Sequence, residues 1–368
     1  MPARVIVHAD LDYFYAQCEE NMNPKIRGKP VVVCVYSGRT EDSGVVSTSN
    51  YEARDYGVKA GIPIVRAKKL LEKTEAIFLP MNRPMYEQVS DRIMEILKTH
   101  GDAYEKLGID EAYIDITTRT NGDFDLAKQV ATEIKLQIFA REHITCSMGI
   151  APNKLVAKIA SDHVKPNGLT IVKPEEVVSF LATMPVSRIP GVGKKVEEKL
   201  SELHVRSISE LAEIDSPLLI GTFGKSLGNY LYQSARGLDD EPVKEREQPG
   251  QFSRIGTLKK NTREVEEIRP LLFELADSVS RKLAEKGMLC KSVSVIAILS
   301  DLSIHTKSKS FETATANESV IRQSSGELLE QILQSMPTAI LRRVGVKLSG
   351  LSKPAGQMDI SRFLQTQP

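Results

Sequence analysis

Arg4-Val5-Ile6-Val7-His8-Ala9-Asp10-Leu11-Asp12-Tyr13-Phe14-Tyr15 opens the chain with an apolar run that ends in carboxylates and aromatic rings. Arg4 to Leu11 reads as a strand with Asp10 at its C-terminal end, and the period of two puts Asp10 and Asp12 on one face. A second acidic pair, in Ile109-Asp110-Glu111-Ala112-Tyr113, has similar apolar surroundings. Residues 84–99 carry Val89, Ile93, Ile96 and Leu97 at helical spacing, and 125–140 place Val130, Ile134 and Ile138 on one helical face. Between them, Tyr104 to Thr117 reads as a strand pair turning at Gly108. Ile144 to Ile150 is a further strand, and Asn153 caps the helix that follows. With the first strand, the order is β…αββαβ, that of a ferredoxin-like sheet.

The rest of the chain divides around that sheet. Residues 14–79 mix helix and short strand, with turn signals at Asn23-Pro24, Ser37-Gly38 and Gly61-Ile-Pro63. Residues 173–236 read as a compact helical segment. The stretch 237–248 is almost devoid of apolar residues and reads as an exposed linker. Mixed α/β patterning returns over 249–350, with strands near 251–259, 292–301, 304–312 and 340–349 and helices near 264–286 and 317–335. Residues 351–368 read as a mobile tail. The expectation is a multidomain α/β (α+β) protein.

Composition narrows the class. At 368 residues the chain is too long for one ordinary core. Its 41% hydrophobic and 26% charged content suits a globular protein, and no apolar run approaches the roughly 20 residues needed to span a bilayer. There is no signal-peptide pattern. Cys18, Cys34, Cys146 and Cys290 are scattered without metal-ligand spacing, so they read as buried small hydrophobes in a reducing cytoplasm. The net charge of +1 is no nucleic-acid signature. Only 249–350 is clearly basic, which makes it the segment to place on a phosphate backbone.

Buried carboxylates need a cation or a hydrogen-bond network. From pattern alone, Asp10, Asp110 and Glu111 read either as caps at strand ends or as ligands of Mg²⁺, which takes a few carboxylates, waters and substrate phosphates. Two such ions about 3.5–4 Å apart clamp both oxygens of an in-line phosphoryl displacement. Tyr51 and Arg54, three apart, share a helical face and suit phosphate oxygens. Lys165, just before Pro166-Asn-Gly, supplies a third donor.

Five motifs stand in order: Asp10-Leu-Asp-Tyr-Phe-Tyr, Asn50-Tyr-Glu-Ala-Arg54, Gly108-Ile-Asp-Glu-Ala112, Ser147-Met-Gly-Ile150 and Asn153-Lys-Leu-Val-Ala-Lys158. Together they resemble the successive signatures of Y-family translesion DNA polymerases of the archaeal and bacterial DNA polymerase IV type, over about residues 1–350. The resemblance implies a palm (1–13 and 80–172), fingers (14–79), a thumb (173–236), the linker 237–248 and a little finger (249–350). It implies a template-directed, low-fidelity polymerase that adds deoxynucleotides to a primer 3′ end. Two Mg²⁺ ions would be held by Asp10, Asp110, Glu111 and the Leu11 carbonyl, with Asp12 structural. Tyr51, Arg54 and Lys165 match triphosphate ligands, assisted by Tyr13 and Thr48. Tyr15 matches a steric gate that excludes a ribose 2′-OH by collision, with Phe14 the next candidate. Val35, Val45 and Ser47 match the roof over the nascent base pair; being small, they imply a loose, weakly discriminating pocket.

Ile189-Pro-Gly-Val-Gly-Lys-Lys195 resembles a helix-hairpin-helix, in which Gly191 and Gly193 expose backbone N–H groups at a helix start and Lys194 adds charge. Lys259, Lys260, Arg263, Arg342, Arg343 and Lys347 are further cations to place on primer-template DNA. In the tail, Gln357, Ile360, Phe363 and Leu364 resemble a peptide that binds a sliding clamp, with Leu364 at a position usually aromatic. The partners expected are therefore DNA, a deoxynucleoside triphosphate and a clamp, for a monomer away from the membrane. Two rivals share the acidic clusters: a Mg²⁺ nuclease, and a DNA-binding scaffold that has kept a polymerase fold without activity. The gate tyrosine and the triphosphate ligands argue against the first, and the intact carboxylates against the second.

Overall fold

The computed structural model describes residues 3–245 and 249–354. They form two compact units, one of residues up to 35 with 46–245, the other of 36–45 with 249–354. In chain order the first part contains β1 (Ile6–Leu11), α1 (Phe14–Met22), β2 (Val31–Tyr36), β3 (Gly44–Ser49), α2 (Tyr51–Asp55), α3 (Ile64–Leu70) and β4 (Ile77–Pro80). There follow α4 (Arg83–His100), β5 (Ala103–Lys106), β6 (Glu111–Asp115), α5 (Thr117–Thr120), α6 (Phe124–Glu142), β7 (Cys146–Ala151), α7 (Lys154–Ser161) and β8 (Leu169–Ile171). Short helices come next: α8 (Val177–Ala182), α9 (Lys194–Glu202), α10 (Ile208–Ala212), α11 (Ser216–Phe223) and α12 (Lys225–Ala235).

The main sheet runs β5-β6-β1-β7-β8. β1 sits centrally and antiparallel to both neighbours, with Asp10 opposite Glu111 on one side and Ser147 on the other. The ferredoxin-like order expected from the sequence is present, with β8 added parallel to β7. Alternation along β1 divides the core. Val5, Val7, Ala9 and Leu11 pack with Ile93 and Leu97 of α4 and Ile134 and Ile138 of α6, whereas Ile6 joins Val156, Ile159 and Ala160 of α7. His8 and Asp10 therefore share the α7 face. Gly149 lets α7 come close: a Cβ there would stand 2.0 Å from the Ala157 carbonyl oxygen and 2.4 Å from the Ser161 nitrogen. Asn153 caps α7, its side chain accepting from Val156 N–H at 2.9 Å. A smaller sheet runs β3-β2-β4.

The run after Gly237 is not the free linker that its composition suggests. Arg4 donates to the Glu241 carbonyl, Asn153 to the Gly237 carbonyl, and the Leu155 N–H to Asp239. Val243 is buried. Polar residues here tie the chain down through backbone and carboxylate bonds, a signal that hydropathy does not carry.

The second unit holds β9 (Gln251–Thr262), α13 (Val265–Glu285), β10 (Leu289–Leu299), β11 (Ile304–Thr315), α14 (Glu318–Ser335) and β12 (Leu341–Ser352). Its antiparallel sheet runs β11-β10-β12-β9. Alternate residues Val293 and Val295, and Val344, Val346 and Leu348, pack with Leu272 and Val279 of α13 and Leu328 and Ile332 of α14. β12 continues to Ser352, past the expected tail boundary at 350, because Leu351 pairs with Cys290 and packs on this core. All four cysteines are buried and none forms a disulfide among the described residues. No helix among the described residues is long and apolar enough to cross a membrane.

Gly149→Ala should cost about 3 kcal/mol or more, since the clash is with backbone that cannot step aside. Urea denaturation of the variant against the parent measures it, and an unchanged midpoint would show that α7 can retreat freely.

Candidate active site

At the end of β1 three acidic side chains gather for a simple reason of register. Asp10 lies directly opposite Glu111, Asp110 precedes Glu111, and the Leu11 N–H donates to the Asp110 carbonyl at 2.8 Å. Burial pushes Asp10 up to about 6, with Lys165 opposing and Asp162 and Asp110 adding to the rise. Burial also raises Asp110, and the charge of Glu111 raises it further. Glu111 is held down at about 2, first by His8 and then by Lys158.

Among the described residues no three His, Cys, Asp or Glu side chains converge as a ready-made metal cage. Lysines meet the carboxylates instead. Lys165 Nζ is 2.8 Å from Asp10 and 2.7 Å from Asp162, and Lys158 pairs with Glu111. Even with Lys165 against it, Asp10 stays well above the ordinary carboxylate range, so the negative charge here is incompletely met. Hard oxygen donors, part-buried and under-compensated, fit a divalent cation.

Asp12 is different. It is 1% exposed and accepts from Ser147 Oγ (2.7 Å), Thr145 Oγ1 (2.9 Å) and the Asn167 N–H (2.8 Å). Those bonds tie β1, β7 and the loop after α7 together, leaving the side chain occupied. Tyr13 turns the chain out of β1 with φ +34° and meets Tyr51 edge-on at 5.4 Å.

The helix α2 is short, and Asn50 fixes it. Its side chain accepts from Val31 and Ala53 N–H groups and donates to Glu20 and the Lys29 carbonyl. Tyr51 and Arg54 do share a face: the guanidinium lies 4.8 Å from the ring centroid, and Arg54 also donates to the Ser49 carbonyl. The Tyr51 phenol is raised by burial and by Asp12, and it also feels Arg54, Lys165 and Asp10, so these groups border one space. Lys165 departs from the expected clamp in that both of its contacts here are carboxylates. Thr48 and Ser47 lie part-buried in β3, while Val35 and Val45 are 43% and 44% exposed.

Tyr15 is part-buried on α1 and stacks on Tyr86, centroids 4.5 Å apart and planes 14° from parallel. Tyr86 is fully buried and donates through its hydroxyl to Glu19. Phe14, the alternative gate, is 2% exposed and belongs to the core. Tyr86, His8 and Lys158 were not singled out from the sequence. His8 and Lys158 each carried a weak signal, His8 by lying two residues before Asp10 on one strand face and Lys158 by closing a motif.

At the hairpin before α9, Gly191 has φ +85° and needs glycine, whereas Gly193 has φ −92° with open space around its Cβ position. The left-handed turn of the hairpin thus falls at Gly191. Tyr230 backs the loop, donating to the Pro190 carbonyl at 2.6 Å, and Lys194 is exposed at the first turn of α9. In the second unit Lys259 is exposed, Lys260 pairs with Glu267 and Arg263 donates to the Leu333 carbonyl. Arg342, Arg343 and Lys347 lie part-buried on β12. Gln357, Ile360, Phe363 and Leu364 lie outside the described residues.

Residues 9–162 match the impB/mucB/samB family, 249–361 its C-terminal domain, and 187–239 the DNA polymerase-iota thumb domain. The chain is 44% identical to DNA polymerase IV of Nitrosopumilus maritimus, over 99% of its own length and 100% of the relative's. It is 44% identical to DNA polymerase IV of Methanosarcina acetivorans, with 98% and 99% covered. Among solved structures it resembles the Y-family DNA polymerase chimera Dbh-Dpo4(243-245)-Dbh, at TM-score 0.90 and 38% identity over 95% of this chain and 100% of that one. It also resembles the insertion ternary complex of Dbh DNA polymerase, at TM-score 0.68 and 38% identity over the same shares.

The raised Asp10 has a consequence for the metal-free protein. Its folded value lies above its unfolded one, so it favours the fold below about pH 4, and that contribution is lost as the pH rises through about 6. Asp10→Asn should therefore be more stable than the parent at pH 8 in chelator, by about 1–3 kcal/mol, and equal to it at pH 4. Denaturant curves at the two pH values test this; a variant less stable at pH 8 would mean the Lys165 pair outweighs burial.

Proposed function

The chain belongs to the Y-family DNA polymerases, the impB/mucB/samB family, and we propose from that membership how its own residues carry out translesion DNA synthesis. It is a DNA-directed DNA polymerase of the DNA polymerase IV type, and such enzymes depend on a divalent metal. We assign the main sheet with α4, α6 and α7 to the palm, residues 14–79 to the fingers, 173–236 to the thumb and the second antiparallel sheet to the little finger. The observation that carries the active-site assignment is the Asp10–Glu111 register with Asp110 alongside. An anionic primer terminus and triphosphate can meet beside these carboxylates only with divalent cations between them, which is the chemistry such oxygens serve.

Asp10, Asp110, Glu111 and the Leu11 carbonyl would hold the metal, as two Mg²⁺ ions. When bound, the ions supply the charge that lowers the cost of phosphoryl transfer. The chain's own groups do the rest. Arg54 and Tyr51 grip the triphosphate, with Tyr13 and Thr48 beside them, and Lys165 exchanges its carboxylate contacts for phosphate oxygens. Tyr15, braced by Tyr86, bars a 2′-OH. The exposed Val35 and Val45 with Ser47 form a loose roof, which supports tolerance of distorted templates and low fidelity. The hairpin at Gly191–Lys194 and the cations of the second unit hold the primer-template backbone without reading sequence. The absence of disulfides among the described residues supports a cytoplasmic setting, and we take the enzyme to be a monomer that recruits a sliding clamp through Gln357, Ile360, Phe363 and Leu364.

Primer extension tests the assignment against nuclease or inert-scaffold readings, since the three give longer, shorter or unchanged primers. Asp110→Ala and Glu111→Ala should abolish extension while DNA binding survives; activity within about tenfold of the parent would remove that residue from the site. Tyr15→Ala should admit ribonucleotides and leave deoxynucleotide addition nearly intact, and unchanged sugar selectivity would move the gate elsewhere. Phe363→Ala with Leu364→Ala should lose stimulation by the cognate clamp but keep unaided extension. Equal stimulation of parent and double variant would place the clamp contact in the folded units.

A further inference from the structure

His8 has no part in the reading above, yet the fold buries its ring completely. It lies on the α7 face of β1, two residues before Asp10. Its Nδ1 is 2.7 Å from Ser161 Oγ at the end of α7, and its Nε2 is 3.3 Å from Glu111 Oε2. The ring rests against Tyr113, centroids 4.7 Å apart. Nε2 makes no well-aligned hydrogen bond and is sealed from water, so the Glu111 oxygen is the acceptor within its reach. A buried ring nitrogen beside a carboxylate is costly unless a hydrogen lies between them. The partner of one imidazole nitrogen selects the state of the other. Ser161 Oγ has one hydrogen, for which the Lys158 carbonyl at 2.8 Å competes with Nδ1, so the choice of tautomer is made at Nε2: a hydrogen on Nδ1 would set a bare lone pair against carboxylate oxygen, whereas a hydrogen on Nε2 points at Glu111. Lys158 approaches the same oxygen, Oε2. Two donors thus converge on one oxygen of Glu111 from the protein side.

We infer that His8 is a positioning residue: through Nε2–H it pins Glu111 Oε2 from within the sheet, leaving Oε1 as the oxygen offered to the catalytic cation. The inference rests on the reading of Glu111 as a metal ligand.

The test is Mn²⁺ binding, read by electron paramagnetic resonance on the enzyme bound to primer-template DNA and a non-hydrolysable nucleotide analogue. His8→Phe keeps a ring against Tyr113 but no donor. His8→Asn puts an amide near the Nδ1 position, and His8→Gln puts one near Nε2. Loss of such an outer partner weakens metal binding by about 10- to 100-fold, so the Phe and Asn variants should fall by about tenfold or more and the Gln variant should keep most of the affinity. Extension should follow the same order in kcat, with KM for the nucleotide little changed. If Phe does not fold, the Gln and Asn pair decides. Equal affinities for Gln and Asn, or parent-like binding by Asn or Phe, would overturn the inference. Glu111→Gln is run alongside: parent-like Mn²⁺ binding there would overturn the inference through its premise instead.

Discussion

Asp10 and Glu111 face each other across two central strands, and neither can be moved without moving the sheet. Their pairing follows from the alternation that buries Val5, Val7, Ala9 and Leu11 on one side. A one-residue slip of β1 would turn that apolar set toward α7 and drive His8 and Asp10 in among Ile93 and Ile134. The hydrophobic core thus fixes the position of the acidic groups, and the cost of keeping them there falls on electrostatics. Lys158 and Lys165 offset part of it. They are long, flexible cations on α7 and the loop after it, and part-buried pairs of this kind contribute little net stability once desolvation is counted. That suits the proposed role of Lys165, which trades its carboxylate contacts for phosphate oxygens.

The second dependence is steric. α7 carries Lys158 and Ser161, and it reaches the sheet only because residue 149 has no side chain. Asn153 fixes where α7 begins, and Asp12 locks the following loop through Asn167. Three short polar or achiral residues, none touching substrate in the proposed mechanism, thereby set where two cations stand. The fixed contacts are made by short side chains with all their bonds satisfied inside the protein. The exchangeable ones are made by lysine and arginine.

Much of this was legible in the sequence because period-two and period-3.6 patterns are strong around the main sheet. The strand bearing Asp10, the helices at 84–99 and 125–140 and the cap at Asn153 all follow from local chemistry. Tyr51 and Arg54 share a face because three residues make nearly one helical turn. What was not legible depended on contacts distant in sequence. Tyr86 lies 71 residues after Tyr15 and reads as one more core aromatic on α4; its stacking appears only once α1 crosses α4. The docking of 237–243 rests on backbone and carboxylate bonds that leave no hydropathic trace.

The same contrast explains why the carboxylates could be found and their surroundings could not. An acidic residue inside an apolar strand violates the local rule for strands, and such violations mark functional sites. His8 violates it far less, since a half-polar ring is tolerated in a core, and Lys158 sits where an amphipathic helix commonly carries a lysine. The groups that adjust a reactive carboxylate are chosen for compatibility with the core as much as for chemistry. They therefore carry almost no signature of their own, and become visible only as neighbours of a residue that does.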